Sequence, residues 1–418
     1  MKKVAVILAC LALAGCTKDV RIASGGDVPV GFTPMTGNIA TKSVYKGEQN
    51  ATYTGNGSSY EQFNAWAKYT DNAGTNPQTG GVEFFPATGI ECVHGGSGAN
   101  DYWAPSTTYY WPFSGYLSFH AFSPSDLSPY KNNNTQVTHD WSNGFTITNF
   151  QAGTRTDNYR NNMVDILYSD FVFKKQRSEY SPLSGVPYDE VSEESGYNQK
   201  GVNLTFHHAL AGVQFRFKTA ANYKGGQVTY SFTTKRIELL NMNYKGEFHE
   251  NRTAAADNTF RDAPSGAITF NDDNSLSATP YWIPVESSSA DEFSSIIVFT
   301  ATTDITNSVK SVGSMMLVMP QNLAHTGSGN HVKVKVTFDF SYQVSGESAQ
   351  TYTGRTLEID LAGLTGKMGS TDYTINQWLI NHKYIYTIVF HLDPLIFDPN
   401  VEAFVEVSDI NVDLPFQN

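Results

Sequence analysis

The chain has 418 residues, with 28 Lys and Arg against 40 Asp and Glu and a formal net charge of −12. Such acidity disfavours a nucleic acid partner, because binding to a polyanion is driven by cationic side chains that release its counterions. Only three cysteines occur, so stability rests on packed core and not on a disulfide framework, and a chain of this length can supply that core.

Residues 1–15 read as a lipoprotein signal peptide. Lys2 and Lys3 form a short positive region, Val4 to Ala14 an apolar run, and Leu13-Ala14-Gly15 a small-residue cleavage site before Cys16. The apolar run falls short of the roughly 20 residues that span a bilayer. Cys16 is then the lipidated first residue of the mature chain, anchored to the outer membrane by its buried acyl methylenes. Loss of Lys2 and Lys3 takes the net charge from −12 to −14. Cys10 leaves with the signal, and Cys92 remains as a lone thiol with the setting of a buried strand residue.

Residues 16–27 are a polar tether. Beyond them period-2 alternation recurs, and no amphipathic helical window of convincing length appears. Tyr116 to Phe122, Val213 to Lys218, Ile296 to Thr300 and Val332 to Phe340 are predicted as half-buried strands. The aromatic content of 13% fits an all-β chain. Residues 47–81 and 251–276, rich in Asn, Gly, Thr, Ser and Asp, read as long surface loops. The charged, Pro- and Gly-containing stretch 174–201 is the predicted boundary between an N-terminal β-sandwich domain, 28–200, and a C-terminal one, 201–418.

An ordered set of short segments resembles the Mfa-like fimbrillin family, the lipoprotein pilins of the Bacteroidia. The set begins with Tyr109-Tyr110-Trp111-Pro112 and the stretch from Gly115 to Pro124. It continues through Asp165-Ile166-Leu167-Tyr168, Leu204 to Val213, Ile237 to Gly246 and Met316 to Leu323, and ends at Lys383 to Ile388. The resemblance implies two tandem transthyretin-like β-sandwich domains and a fimbrial subunit at the cell surface. It also implies a trypsin-like protease that cuts near the N-terminus, opening a groove that a strand of the next subunit fills.

Strand exchange requires an alternating segment at the groove, since inward side chains recur every second residue. Val28, Val30 and Phe32 are the candidates for the displaced strand, with Pro29 expected on an edge where its missing N–H is tolerated. Lys42-Ser43 is the candidate cut, although the family commonly carries Arg there. Ile410, Val412 and Leu414 are the candidates for the donor strand, and Pro415 then stops the pairing. Burying three such side chains contributes on the order of 5 to 9 kcal/mol before ordering costs. A last strand that packs at home shows the same alternation, so spacing alone leaves both readings open. Lys42 and the long 47–81 loops tilt the reading toward an accessory or tip subunit, against a stalk subunit.

The chain shows no phosphate-binding loop, nucleophile elbow or HExxH helix, and no enzyme activity, cofactor or metal is expected. His207 and His208 are adjacent on a predicted strand, point to opposite faces and cannot share one metal. The alternative to a pilus subunit is a surface glycan-binding lipoprotein that does not polymerise, with Trp103 and Trp141, in loop-like surroundings, as candidates for stacking on sugar rings. In the pilus reading the expected adhesion ligand is a host or bacterial surface, and in the alternative it is a glycan.

Overall fold

The computed structural model describes residues 24–36, 62–77, 79–95, 102–125, 135–151, 164–177, 201–220, 228–250, 260–261, 280–284, 294–313, 315–324, 331–368, 371–390, 395–400 and 412–414. No α-helix occurs among them.

The first strands are β1 (Ser24–Pro29), β2 (Phe32–Thr36), β3 (Phe63–Thr70), β4 (Val82–Glu83), β5 (Ile90–Gly95), β6 (Tyr102–Pro105), β7 (Tyr110–Pro112) and β8 (Tyr116–Ser123). There follow β9 (Gln136–Asp140), β10 (Gly144–Gln151), β11 (Leu167–Ser169), β12 (Val172–Lys175), β13 (Val202–His208), β14 (Ala211–Thr219), β15 (Val228–Met242) and β16 (Lys245–His249). Then come β17 (Phe260–Arg261), β18 (Tyr281–Pro284), β19 (Ser294–Phe299), β20 (Thr303–Ile305), β21 (Lys310–Ser311), β22 (Met316–Val318), β23 (Gln321–Asn322) and β24 (Lys333–Val344). The last are β25 (Gln350–Asp360), β26 (Leu364–Met368), β27 (Thr371–Ile375), β28 (Gln377–Trp378), β29 (Lys383–Phe390), β30 (Leu395–Asn400) and β31 (Val412–Leu414).

Three assemblies organise most of these strands, and β1 with β7, β23 with β28 and β26 with β27 form separate two-stranded sheets. In the first, β8, β11, β13, β2, β6, β5 and β3 follow one another in hydrogen-bonding order, and β3 pairs back onto β8. The sheet therefore closes on itself, which leaves no free edge around the ring. Its interior is aromatic and aliphatic: Phe32, Phe63, Phe85, Trp103, Trp111, Leu117, Phe119, Leu204 and Phe206 are all buried there.

The second assembly is a sandwich. A sheet in the order β21-β14-β29-β30-β31 faces one in the order β19-β15-β24-β25. Phe232 on β15 and Phe390 on β29 stack across the interface at 4.5 Å between ring centroids. The alternation of β24 places Val334, Val336 and Phe338 inward, as its sequence pattern predicts. The third is a sheet of β17, β18, β16, β10 and β9, in which β10 pairs with β16 across some hundred residues of chain. This sheet joins strands from before and after residue 200, and its Trp282 indole donates to the Ala209 carbonyl at 2.6 Å. Residues 178–200, most of the predicted boundary, lie outside the described residues, and β13, just beyond them, is a stave of the closed ring.

Candidate functional site

The N-terminal segment enters the ring in two steps. β1 pairs with β7, the chain crosses over at Val30 and Gly31, and β2 then lies parallel to β13, with Phe32 opposite Val202 and Thr36 opposite Phe206. Two backbone bonds fix the crossing: Val30 N–H donates to Tyr109 O and Val202 N–H to Gly31 O, each at 2.8 Å. Gly201 makes this approach possible. Its φ is +111°, a conformation that favours glycine, and a Cβ there would collide with the Gly31 carbonyl.

Val28, Val30 and Phe32 are all buried, at 1%, 2% and 0% exposure. Phe32 presents its ring to the edges or faces of Phe63, Phe85 and Phe119 at centroid distances of 5.9, 6.5 and 5.4 Å. The expectation of a single edge strand is corrected. Val28 belongs to β1, which ends at Pro29, Val30 to the crossover, and Phe32 to β2, which is a stave of the ring between β13 and β6. On the β6 side the register with β2 is a single pair, Phe32 with Trp103, so Pro34 meets no ladder there that would need its missing N–H. β2 is thus held mainly by β13 and by its buried side chains.

At the other end of the chain, β29, β30 and β31 form an antiparallel meander, and β31 ends the sheet order. Val412 lies opposite Phe397, and Leu414 opposite Leu395. The backbone of the candidate donor segment is therefore docked on its own sheet in this chain. Cys16, Lys42, Ser43 and Ile410 lie outside the described residues.

The two tryptophans proposed for glycan stacking are corrected. Trp103 is 1% exposed and packs 5.3 Å from Phe63, because β6 pairs with both β5 and β2 and carries it into the ring. Trp141 is 5% exposed; its indole N–H donates to Glu83 Oε2 at 3.3 Å and its ring faces Phe171. Neither can offer a free ring face to a sugar.

His207 and His208 do point apart. His207 Nε2 lies 2.9 Å from Asp170 Oδ1, and His208 Nδ1 lies 2.8 Å from Asp165 Oδ1. No group of three or more His, Cys, Asp or Glu side chains suited to a metal occurs among the described residues. Cys92 is fully buried in the ring core, and burial pushes its thiol well above the ordinary cysteine range.

One polar cluster was missed by sequence reasoning. His120 on β8 and Glu250, just past β16, are fully buried, and His120 Nε2 lies 3.1 Å from Glu250 Oε1 and 3.0 Å from Ser169 O. Glu250 Oε2 accepts the Phe145 N–H at 2.9 Å, and His139 Nε2 lies 3.0 Å from His120 Nδ1. The His120 ring stacks between Phe171 at 3.7 Å and Phe145 at 4.3 Å. Burial, then His120 and Lys68, push the His139 imidazole down to about 2. The cluster pins the ring strand β8 to the sheet of β9, β10 and β16. A histidine in the middle of the apolar run Tyr116 to Phe122 is its only local signal, since Glu250 lies 130 residues away.

The fold and its buried N-terminal strand define an all-β protein built from a closed sheet and a β-sandwich. No family model matches the chain, and no curated protein matches it. Among solved structures, a fimbrial protein from Bacteroides vulgatus ATCC 8482 is similar at 15% identity, with 94% of this chain and 100% of that chain covered and a TM-score of 0.46. The tip fimbrial protein Mfa3 from Porphyromonas gingivalis, truncated at its C-terminus, is similar at 10% identity, with 85% of this chain and 94% of that chain covered and a TM-score of 0.30.

Proposed function

We propose that this chain is a structural subunit of a surface fimbria, exported as a lipoprotein anchored at Cys16, cut at Lys42-Ser43 and joined to its neighbours by β-strand exchange. The observation that carries the reading is the place of β2. It is one stave of a closed ring, it belongs to the segment that a cut at Lys42 would release, and its departure would expose the facing edges of β13 and β6 with an aromatic groove between them. An open β edge over an apolar groove is filled by strand addition, in which backbone bonds supply affinity and alternate side chains supply specificity. The C-terminal segment at Ile410, Val412 and Leu414 is the candidate donor, because the terminal strand of a sheet can leave with the loss of one neighbour only.

In this reading the chain assembles and adheres and catalyses nothing. Its partners are other fimbrial subunits, the outer membrane and a trypsin-like processing protease, with a host or bacterial surface as the adhesion ligand. Two domains, 28–200 and 201–418, remain the proposed division. The test is deletion of residues 408–418 in cells that otherwise express the protein: polymers containing it are expected to disappear, and normal polymers would refute the donor role. In parallel, Lys42→Ala is expected to leave the surface form at its unprocessed mass, and an unchanged mature mass would exclude that cut.

A further inference from the structure

Resting on the reading of Cys16 as a lipid anchor, we infer that Phe113 together with Lys174, Lys175 and Arg177 forms a membrane-contacting patch. It seats the uncut chain, by the end of the ring that carries Ser24, on a lipid surface bearing anionic phosphate headgroups.

Strand pairing places these residues at one end of the ring. Ser24, the first residue of β1, lies opposite Pro112, and Phe113 is the next residue along. β8 then starts at Tyr116, opposite Thr70, and Lys175 on β12 lies opposite Leu117. The Arg177 guanidinium stands over the Phe113 ring at 5.2 Å and ties the two stretches together. β13 leaves the ring at the other end, where Leu167 pairs with both His208 and Ser123, and the chain continues there into β14 of the sandwich.

Chain length fixes what the Phe113 end faces. Ser24 is eight residues after Cys16. A fully extended tether of that length reaches about 27 Å, whereas a globular chain of this size measures on the order of 55 Å across. A lipid at Cys16 therefore keeps the Ser24 end close to the bilayer and the sandwich away from it.

The side chains at that end suit a lipid surface. Three large hydrophobic side chains are exposed among the described residues, and two of them, Tyr110 and Phe113, stand in this stretch, Phe113 at 64%. An exposed ring sinks into the headgroup boundary while flanking cations meet the phosphates. Lys174, Lys175 and Arg177 put three positive charges in four residues of a chain whose net charge is −12. Fields between exposed charges fall off over about 8 Å in physiological salt, so a surface touching this end meets these cations and not the distant carboxylates. Asp71, just past Thr70 at the same end, has Oδ1 taken up within its own turn, where it accepts from Asn72 Nδ2 at 2.8 Å and Thr75 Oγ1 at 3.4 Å. A small patch holds weakly alone and firmly when a tether raises its local concentration. Loss of residues 16–42 would then unseat the chain.

The mature chain carrying Cys16→Ser, which has no anchor, is mixed with vesicles of phosphatidylcholine alone or of phosphatidylcholine with phosphatidylglycerol, and the bound fraction is read by flotation. Binding is expected on the phosphatidylglycerol vesicles and falls as salt rises. Lys175→Gln with Arg177→Gln is expected to weaken it about 25-fold, at about 1 kcal/mol for each cation near such a surface. Phe113→Ser, at an exposed position, is expected to weaken it about 10-fold with the salt dependence unchanged. In parallel, a palmitate analogue fed to cells expressing the unaltered chain is expected to label it at Cys16. If the label is present and the chain shows no preference for phosphatidylglycerol, or the variants bind as the parent does, the patch is overturned and the anchor stands; a second copy or another protein then covers Phe113. If the label is absent, the anchor reading falls and the membrane seat falls with it.

Discussion

Replacing Phe32 by Ala in the uncut chain measures how much of the ring depends on its N-terminal stave. The side chain is fully buried, touches three aromatic rings and sits on a strand that β6 meets at one residue only. Truncation removes the ring's burial and leaves a cavity that Phe63, Phe85 and Phe119 cannot close without moving, a loss of about 3 to 5 kcal/mol. The loss should appear in the ring rather than in the sandwich. Tryptophan fluorescence during urea unfolding reports it once Trp66, Trp141, Trp282 and Trp378, which lie outside the ring core, are replaced by Phe, leaving Trp103 and Trp111 in that core to carry the signal. Phe113→Ala is the control: that ring is 64% exposed and lies under Arg177 at 5.2 Å, a contact worth about 1 kcal/mol or less. A Phe32→Ala loss under about 1 kcal/mol, or one no larger than the control, would show that β2 does not hold the ring together.

Three further outcomes follow from the same geometry. His139 is held neutral in the folded chain, with its pKa lowered to about 2. The unfolded chain therefore takes up a proton below about pH 6.5 that the folded chain refuses. Stability from this group is complete above that pH and falls by about 1.4 kcal/mol per unit below it, about 3 kcal/mol by pH 4.5. His139→Gln should abolish that share of the acid loss in urea midpoints compared at pH 7 and pH 4.5, and an identical acid loss in variant and parent would contradict it. Glu250→Ala strands the buried Phe145 N–H and His120, and should cost about 3 kcal/mol against about 0.5 kcal/mol or less for the exposed Glu358→Ala; equal denaturation midpoints would count against the cluster as a pin. Gly201→Ala forces a Cβ onto the Gly31 carbonyl at φ +111° and should speed proteolysis within residues 24–36 several-fold with β14 and β29 unaffected; unchanged cleavage would refute the role of that close approach.

The strands were legible where one face is buried and the other wet. The alternation at Val213 to Lys218 lies within β14, that at Ile296 to Thr300 overlaps β19, and that at Val332 to Phe340 overlaps β24. Inwardness of Val28, Val30 and Phe32 was legible for the same reason. The crossover that splits them between two sheets was not, because it depends on Tyr109 and Val202, partners far along the chain. Local composition misplaced Trp103 and Trp141: the Gly, Asn and Ser around them suit a loop, whereas pairing of β6 with β5 and packing against Phe171 bury both indoles. The His120–Glu250 pair joins strands 130 residues apart and has no pattern in either neighbourhood.

Hydrogen exchange at the backbone of Val202 to Phe206 tests most directly whether the ring opens at β2 and is resealed by a neighbour. The amides of this stretch are expected to be protected in the uncut chain, to lose protection once the segment before Ser43 is released, and to regain it in the polymer. Protection that stays the same through release and assembly would contradict the account, since β13 would then never have presented an open edge.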